Sequence, residues 1–130
     1  METHISYDIA KGAAEIGFDE PCHGKWMEWL GDTRYFDTDE PVRNEQLKNG
    51  RYTEYAAPTV SQLQKWLMKE HDIHIVPHFV QSAGKYEPEI YTKNGETYEQ
   101  AMMSTFTDYE GAISAWFPFV IEILQKDVHK

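Results

Sequence analysis

The hydrophobic pattern is clearest between positions 57 and 80. Val60, Leu63 and Leu67 recur at helical spacing with Trp66 beside them, while Lys65, Lys69 and Glu70 fall on the other side. Thr59, with Gln62 three residues on, has the form of a capping box, and Pro58 stops the helix from extending backwards. Lys69 and His71 bring cationic side chains to the last turn, where free carbonyls favour them. The period then changes from 3.6 to 2. Ile73, Ile75, Pro77 and Phe79 alternate with His74, Val76, His78 and Val80, which predicts a half-buried strand. Pro77 has no N–H to donate, so the strand belongs at an edge or carries a bulge.

Upstream, Ile5, Ile9, Ala13 and Ile16 predict a first helix over 5–16, with Ser6 as N-cap and Gly17 as its end. Gly12 weakens it by about 1 kcal/mol relative to alanine. Phe18-Asp19-Glu20-Pro21 reads as a turn. Positions 26–30 and 33–36 form two short strands around Gly31-Asp32, and Asp37-Thr38-Asp39-Glu40-Pro41 is an acidic loop. Asn49-Gly50 is a turn before a strand over 51–56 that carries Tyr52 and Tyr55. Downstream, Ser82-Ala83-Gly84 is a turn, and a strand over 86–93 is interrupted by Pro88. Asn94-Gly95 is a hairpin turn leading to a strand over 97–106, although Glu99-Gln100-Ala101-Met102-Met103 also suits a helix. The closing helix starts at Thr107, which with Glu110 repeats the capping box. Ile113, Trp116, Phe117, Val120, Ile121 and Leu124 form its apolar face, and Pro118 kinks it.

The elements predict an α+β fold: an antiparallel sheet of three to five strands with two to three helices mainly on one face, in the order α-β-α-β-β-β-α. Residues 1–130 make one domain, with 1–56 an N-terminal helix and hairpin extension and 57–130 a core αβββα unit. That core has the order seen in double-stranded-RNA-binding domains and in HicB-like antitoxins.

Composition narrows the function more than it names it. Hydrophobic residues are 41% of the chain and aromatics 14%, enough for a packed core. The net charge is −10. Residues 1–56 hold twelve acids against six bases and residues 57–130 ten against six, so the acidity is spread and disfavours direct contact with nucleic-acid phosphates. At the start of the closing helix, where double-stranded-RNA binders place lysines, this chain has Thr107-Asp108-Tyr109-Glu110. Cys22 is the sole cysteine, which fits a reducing cytoplasm. No apolar run reaches membrane-spanning length, and Met1-Glu2-Thr3-His4 lacks the features of a signal peptide.

The stretch Ala57-Pro58-Thr59, Ser61-Gln62-Leu63-Gln64-Lys65-Trp66-Leu67, His71 and Ile73-His74-Ile75 resembles a family of small uncharacterised proteins of gut Bacteroides and their phages or prophages. That family carries an "APTQSLLQKWLRE-H-IHI" stretch, a hairpin and a "YEEAL…G…EAL-LI" helix. Tyr109-Glu110-Gly111-Ala112-Ile113, Ile121-Glu122-Ile123-Leu124 and the Phe18-Asp19-Glu20-Pro21 turn resemble its other segments. The resemblance covers most of 5–21 and 57–124 and departs at Pro118. It implies a phage-related setting and brings no catalytic residue and no cofactor with it.

Chemistry-bearing residues are sparse. His71, His74 and His78 suggest a metal, yet His74 and His78 lie about 13 Å apart along a strand at ~3.3 Å per residue, too far for one ion. Asp37, Asp39 and Glu40 lack calcium-loop spacing. Cys22 has no neighbouring base, since the adjacent His23 diverges from it. No phosphate loop, nucleophile elbow, zinc-protease or dinucleotide motif occurs. Trp26, Trp29, Tyr35 and Phe36 remain as a candidate partner surface, with a place in the core as their alternative. The sequence therefore predicts a non-enzymatic, phage- or mobile-element-derived domain that binds another protein and takes no cofactor. An acidic mimic of nucleic acid, a HicB-like regulator and a small hydrolase built on Cys22 or a His/Asp pair stay open as alternatives.

Overall fold

Ser6 leaves the chain extended and starts a helix: its Oγ accepts the Ile9 N–H at 3.4 Å, one of the amides a helix start leaves without a partner. The helix, α1 (Tyr7–Glu15), stops at Gly17, whose φ of 98° is a conformation glycine adopts without a Cβ penalty. The Phe18 N–H then bonds the Ala13 carbonyl at 2.9 Å and the Gly17 N–H the Ala14 carbonyl at 3.1 Å. Together these make a Schellman closure, with Phe18 and Ala13 both buried beneath it.

The computed structural model describes residues 4–48, 50, 52–91 and 108–128, with side chains as far as Lys126. After α1 come β1 (Cys22–Trp29), β2 (Asp32–Val42), α2 (Asn44–Leu47), β3 (Thr53–Ala56), α3 (Val60–His71), β4 (His74–Val80), β5 (Lys85–Tyr91), α4 (Tyr109–Ser114) and α5 (Phe117–Val128). The fold class is α+β, as expected. Among the described residues the strands form a three-stranded antiparallel sheet in the order β2-β1-β3, within the expected three to five strands, and a separate β4-β5 pair. The expected hairpin at Asn94-Gly95, the strand over 97–106 and the Thr107 cap lie outside the described residues. The chain divides into two compact units, Met1–Thr59 with Pro118–Lys130, and Val60–Phe117. The sequence pattern alone places the internal boundary at 56/57.

In the first unit, α1 and α2 lie against β3. Helix α2 was not expected. It is a single turn whose local support is the Gln46 side chain accepting the Arg43 N–H at 3.2 Å, and its other partners are distant in sequence. The Asn44 Nδ2 donates to the Phe18 carbonyl at 2.8 Å, the Asn44 Oδ1 accepts the Ala56 N–H at 2.8 Å, and the Asp19 carboxylate accepts the Glu45 N–H at 2.8 Å. Helix α5 closes on α1 at Gly12, where a Cβ would lie 2.7 Å from Cγ2 of Ile121. The glycine that weakens α1 by propensity is thus the point that lets a second helix approach.

In the second unit, α3 buries Val60, Leu63, Trp66 and Leu67, the stripe read from the sequence. Each such side chain contributes roughly 1.5–3 kcal/mol when fully removed from water. Asp72, at φ 53°, ends the helix and turns the chain into β4. On β4 and β5, Ile75, Ile90 and Pro88 are buried, while Val76 and His78 are exposed. Pro77 pairs with Pro88 across the two strands in an unbroken register, so β4 is an edge without a bulge. The Ile75 carbonyl points away from β5 and accepts from the Gln64 side chain at 2.9 Å. Pro77 has the same parity, so its missing N–H would have pointed outward and no ladder bond is lost.

The expected closing helix is two helices. Asp108 caps α4 by accepting the Gly111 N–H, and the chain turns at Ala115-Trp116 before α5. Pro118 then sits at the second position of α5, where its absent N–H is an orphan donor in any helix. All six residues of the expected apolar face are buried across the two helices.

Candidate functional site

The β1–β2 hairpin turns at Leu30-Gly31, with φ 51° and 82°, and Trp29 pairs with Asp32 across it. Two successive positive φ angles mark the tight type I′ turn whose twist matches that of paired strands. The turn is therefore one residue earlier than the expected Gly31-Asp32, because Leu30 takes a conformation that leucine rarely adopts. The acidic loop expected at Asp37–Pro41 is also corrected: the strand continues to Val42. Between the Gly24–Asp37 and Cys22–Val42 pairs, however, β2 has four residues where β1 has only His23. Thr38, Asp39, Glu40 and Pro41 form a bulge that carries two carboxylates out from the sheet.

The alternation of this hairpin sorts the four predicted partner residues into two pairs. Trp26 and Tyr35 stand opposite each other on one face, with Tyr55 of β3 beside them. Tyr7 of α1 covers them, edge-on to Trp26 at 6.2 Å and to Tyr55 at 5.8 Å between ring centres. His4 lies 4.7 Å from the Tyr35 ring, and the Trp26 Nε1–H donates to the Ile5 carbonyl at 2.9 Å. Gly24 carries no Cβ because the Tyr35 phenol lies over it. These two residues are packing residues, half-buried beneath the N-terminal segment.

Two tyrosines on this face titrate late. Burial, helped by the hydrogen bond from its hydroxyl to Glu28 at 2.8 Å, pushes Tyr7 up to about 12. Burial and the bond to Asp37 at 2.9 Å push Tyr35 up to about 12 as well. In each pair the phenol donates to a carboxylate oxygen, and that hydrogen bond favours the protonated ring.

Trp29 and Phe36 occupy the other face, with Met27, Lys25 and Arg34. Here the rings are open to solvent: Trp29 is 54% exposed, Leu30 89%, Phe36 40% and Tyr52 40%. Tyr52 packs edge-on to Trp29 at 5.2 Å. Met27, Trp29, Leu30, Asp32, Arg34 and Phe36 line a concavity of about 450 Å³. Its charged groups are the Arg34–Asp32 pair at 3.3 Å, both well exposed. The surface offers apolar area with a few hydrogen-bonding groups at its rim and brings no nucleophile and base together. Met27, Leu30 and Tyr52 were missed as members. Met27 and Trp29 share a strand parity in the sequence, but nothing local assigns that parity to solvent.

A second concavity of about 490 Å³ lies between the end of α1, α2 and β3, lined by Glu15, Asp19, Glu45, Lys48 and Glu54 among others. Its charges are largely committed to each other and to the backbone: Lys48 to Glu45 at 2.9 Å, Lys25 to Glu54 at 2.9 Å and Asp19 to the Glu45 N–H. Lys48 is held protonated by that bond to Glu45.

The histidines remain apart from both concavities. His74 and His78 share one face of β4, opposite Tyr91 and Glu87. His74 Nε2 lies 2.7 Å from Asp72 Oδ1, and Tyr91 is raised by its hydrogen bond to Glu89. His71 packs edge-on to Trp66 at 4.9 Å, and burial lowers its pKa. Cys22 is buried with its Sγ 3.4 Å from the Glu20 carbonyl. Among the described residues no three His, Cys, Asp or Glu side chains converge as metal ligands would, and no helix is long and apolar enough to cross a membrane. Comparison with protein-family models, with curated proteins and with solved structures finds no match to this chain.

Proposed function

We propose that this chain is a protein-interaction domain that acts through the open face of the β2-β1-β3 sheet and performs no reaction of its own. One observation carries the reading. Trp29, Leu30, Phe36 and Tyr52 are gathered on the sheet face that α1 does not cover, and all four are at least 40% exposed. Rings and large apolar side chains left clustered at a sheet surface are the residues that dominate binding energy when a partner covers them. The polar rim, Arg34 with Asp32 and Lys25 with Glu54, supplies orientation. The resemblance to phage-associated proteins fits a domain whose role is to engage another protein, and the single buried thiol fits a reducing cytoplasm.

The test is capture of partners from a host lysate by the intact chain and by a Trp29→Ser/Phe36→Ser variant, with circular dichroism confirming that both fold. The reading expects at least one protein to be retained by the first and lost from the second. Identical captured sets, or none, refute it.

A further inference from the structure

The outer edge of β2 is unpaired among the described residues, whereas the far side of β3 is partly closed by Asn44. The geometry identifies which backbone groups that edge presents. The Gly24 carbonyl accepts the Ala57 N–H at 2.9 Å, so Gly24 points toward the β3 side. Backbone groups alternate along a strand, so Trp26 and Glu28 point the same way while Lys25, Met27 and Trp29 point toward β2. Their partners Phe36, Arg34 and Asp32 point back toward β1. Thr33, Tyr35 and Asp37 are left with N–H and C=O directed outward. The same alternation directs the Ala56 N–H away from β1, where Asn44 meets it.

We infer that β2 is the template for a fourth strand, supplied by an extended segment of a partner protein in which Lys or Arg alternates with apolar residues. This rests on the interaction reading above and adds the mode and the chemistry. The incoming backbone pairs with Thr33, Tyr35 and Asp37, as peptides do when they extend a sheet edge. On one face its side chains lie beside Asp32, Arg34 and Phe36, with Trp29 one strand further in, and an apolar residue fits against Phe36. On the other they lie beside Asp37, where a cation fits. Charge selects the occupant. The β2 segment has four carboxylates against one guanidinium, and the whole chain is at −10. A second copy would bring an equally acidic strand to the same edge, so like charges and the Asp39-Glu40 bulge oppose self-pairing. A basic strand meets the opposite sign and is steered toward the edge.

The experiment selects binders from a displayed library of random short peptides on the folded full chain. The recovered peptides are then measured by calorimetry against three variants. Thr33→Pro removes one outward N–H and no ladder bond, so the aromatic face stays intact. Asp39→Lys/Glu40→Lys reverses charge on the exposed bulge. Trp29→Ser opens the apolar face. The expected peptides alternate Lys or Arg with Val, Ile or Phe. Their affinity should fall by about tenfold or more in Thr33→Pro, and their salt dependence should be reduced in the charge-reversed chain. Acidic or non-alternating binders overturn the inference. Undiminished binding to Thr33→Pro together with loss in Trp29→Ser overturns strand addition while the face reading stands. Indifference to all three variants overturns both. Concentration-dependent dimers of the intact chain that Thr33→Pro abolishes would make a second copy the occupant, which also overturns it.

Discussion

Replacing Gly12 by alanine sets two effects of known size against each other. In an exposed helix interior the change stabilises by about 0.8–1.0 kcal/mol, because glycine loses more backbone freedom on folding. Here the new methyl would lie 2.7 Å from Cγ2 of Ile121 and 3.3 Å from its Cδ1. The nearer distance is about 1 Å inside ordinary carbon–carbon contact, and Ile121 is β-branched and only 6% exposed, so it cannot simply swing aside. Overpacking of this kind costs about 1–3 kcal/mol, so the net expectation is a loss of about 1 kcal/mol. A double-mutant cycle gives the sharper test. Ile121→Ala alone should cost about 2–5 kcal/mol through the cavity it leaves. In a Gly12→Ala background the alanine methyl occupies part of that cavity, so the same truncation should cost at least about 1 kcal/mol less. Urea unfolding followed by far-ultraviolet circular dichroism reads all four species. If Gly12→Ala stabilises by the full propensity gain, or the cycle shows no coupling, then α5 does not rest on Gly12 and the packing argument fails.

Three further expectations follow from single contacts. Asn44→Ala should destabilise by about 1–3 kcal/mol in the same assay, because the buried Ala56 N–H loses its acceptor. Tyr7 and Tyr35 hold their protons to about 12 in the folded chain against 10.0 when free. The stability this represents is present below pH 10.0 and lost as pH rises toward 12, so Tyr7→Phe should flatten the alkaline decline measured by urea midpoints. An unchanged decline would show that burial does not retain that proton. His71 has the opposite sign: its pKa is lowered from 6.5 by burial, so the unfolded chain takes up the proton first. Stability should therefore fall as pH drops below 6.5, and His71→Phe, which keeps a ring against Trp66, should remove that part of the acid loss.

The candidate surface was half legible. Trp29 and Phe36 were named from composition alone, together with Trp26 and Tyr35, which the fold places on the opposite face under Tyr7 and Ile5. A strand's period of two separates odd from even positions but does not say which set a neighbouring helix will cover. That choice was made by α1, far away in sequence. The acidic stretch after Phe36 reads as a loop in the sequence, since aspartate and proline are depleted in strands. It continues β2 to Val42 because residues 38–41 bulge between the paired Asp37 and Val42, where Asp39 and Glu40 stay exposed.

What the sequence alone determined is whatever depends on near neighbours along the chain. The stripe of Val60, Leu63, Trp66 and Leu67, the Ser6 cap, the Gly17 stop and the alternation over the first half of β4, though not at the exposed Phe79, all express periods and end groups a few residues long. Tertiary structure decided the rest. The closing helix broke at Ala115-Trp116, and its second half joined residues 4–59 rather than the segment it follows. One turn of helix at Asn44 formed because Phe18, Asp19 and Ala56 supply its hydrogen bonds. Leu30 accepted a left-handed turn because the pairing of β1 with β2 on either side stabilises it by more than the strain costs. Apart from the hairpin turn, the deciding partner lies many residues away, and no local pattern encodes a contact with a group that folding has yet to bring near.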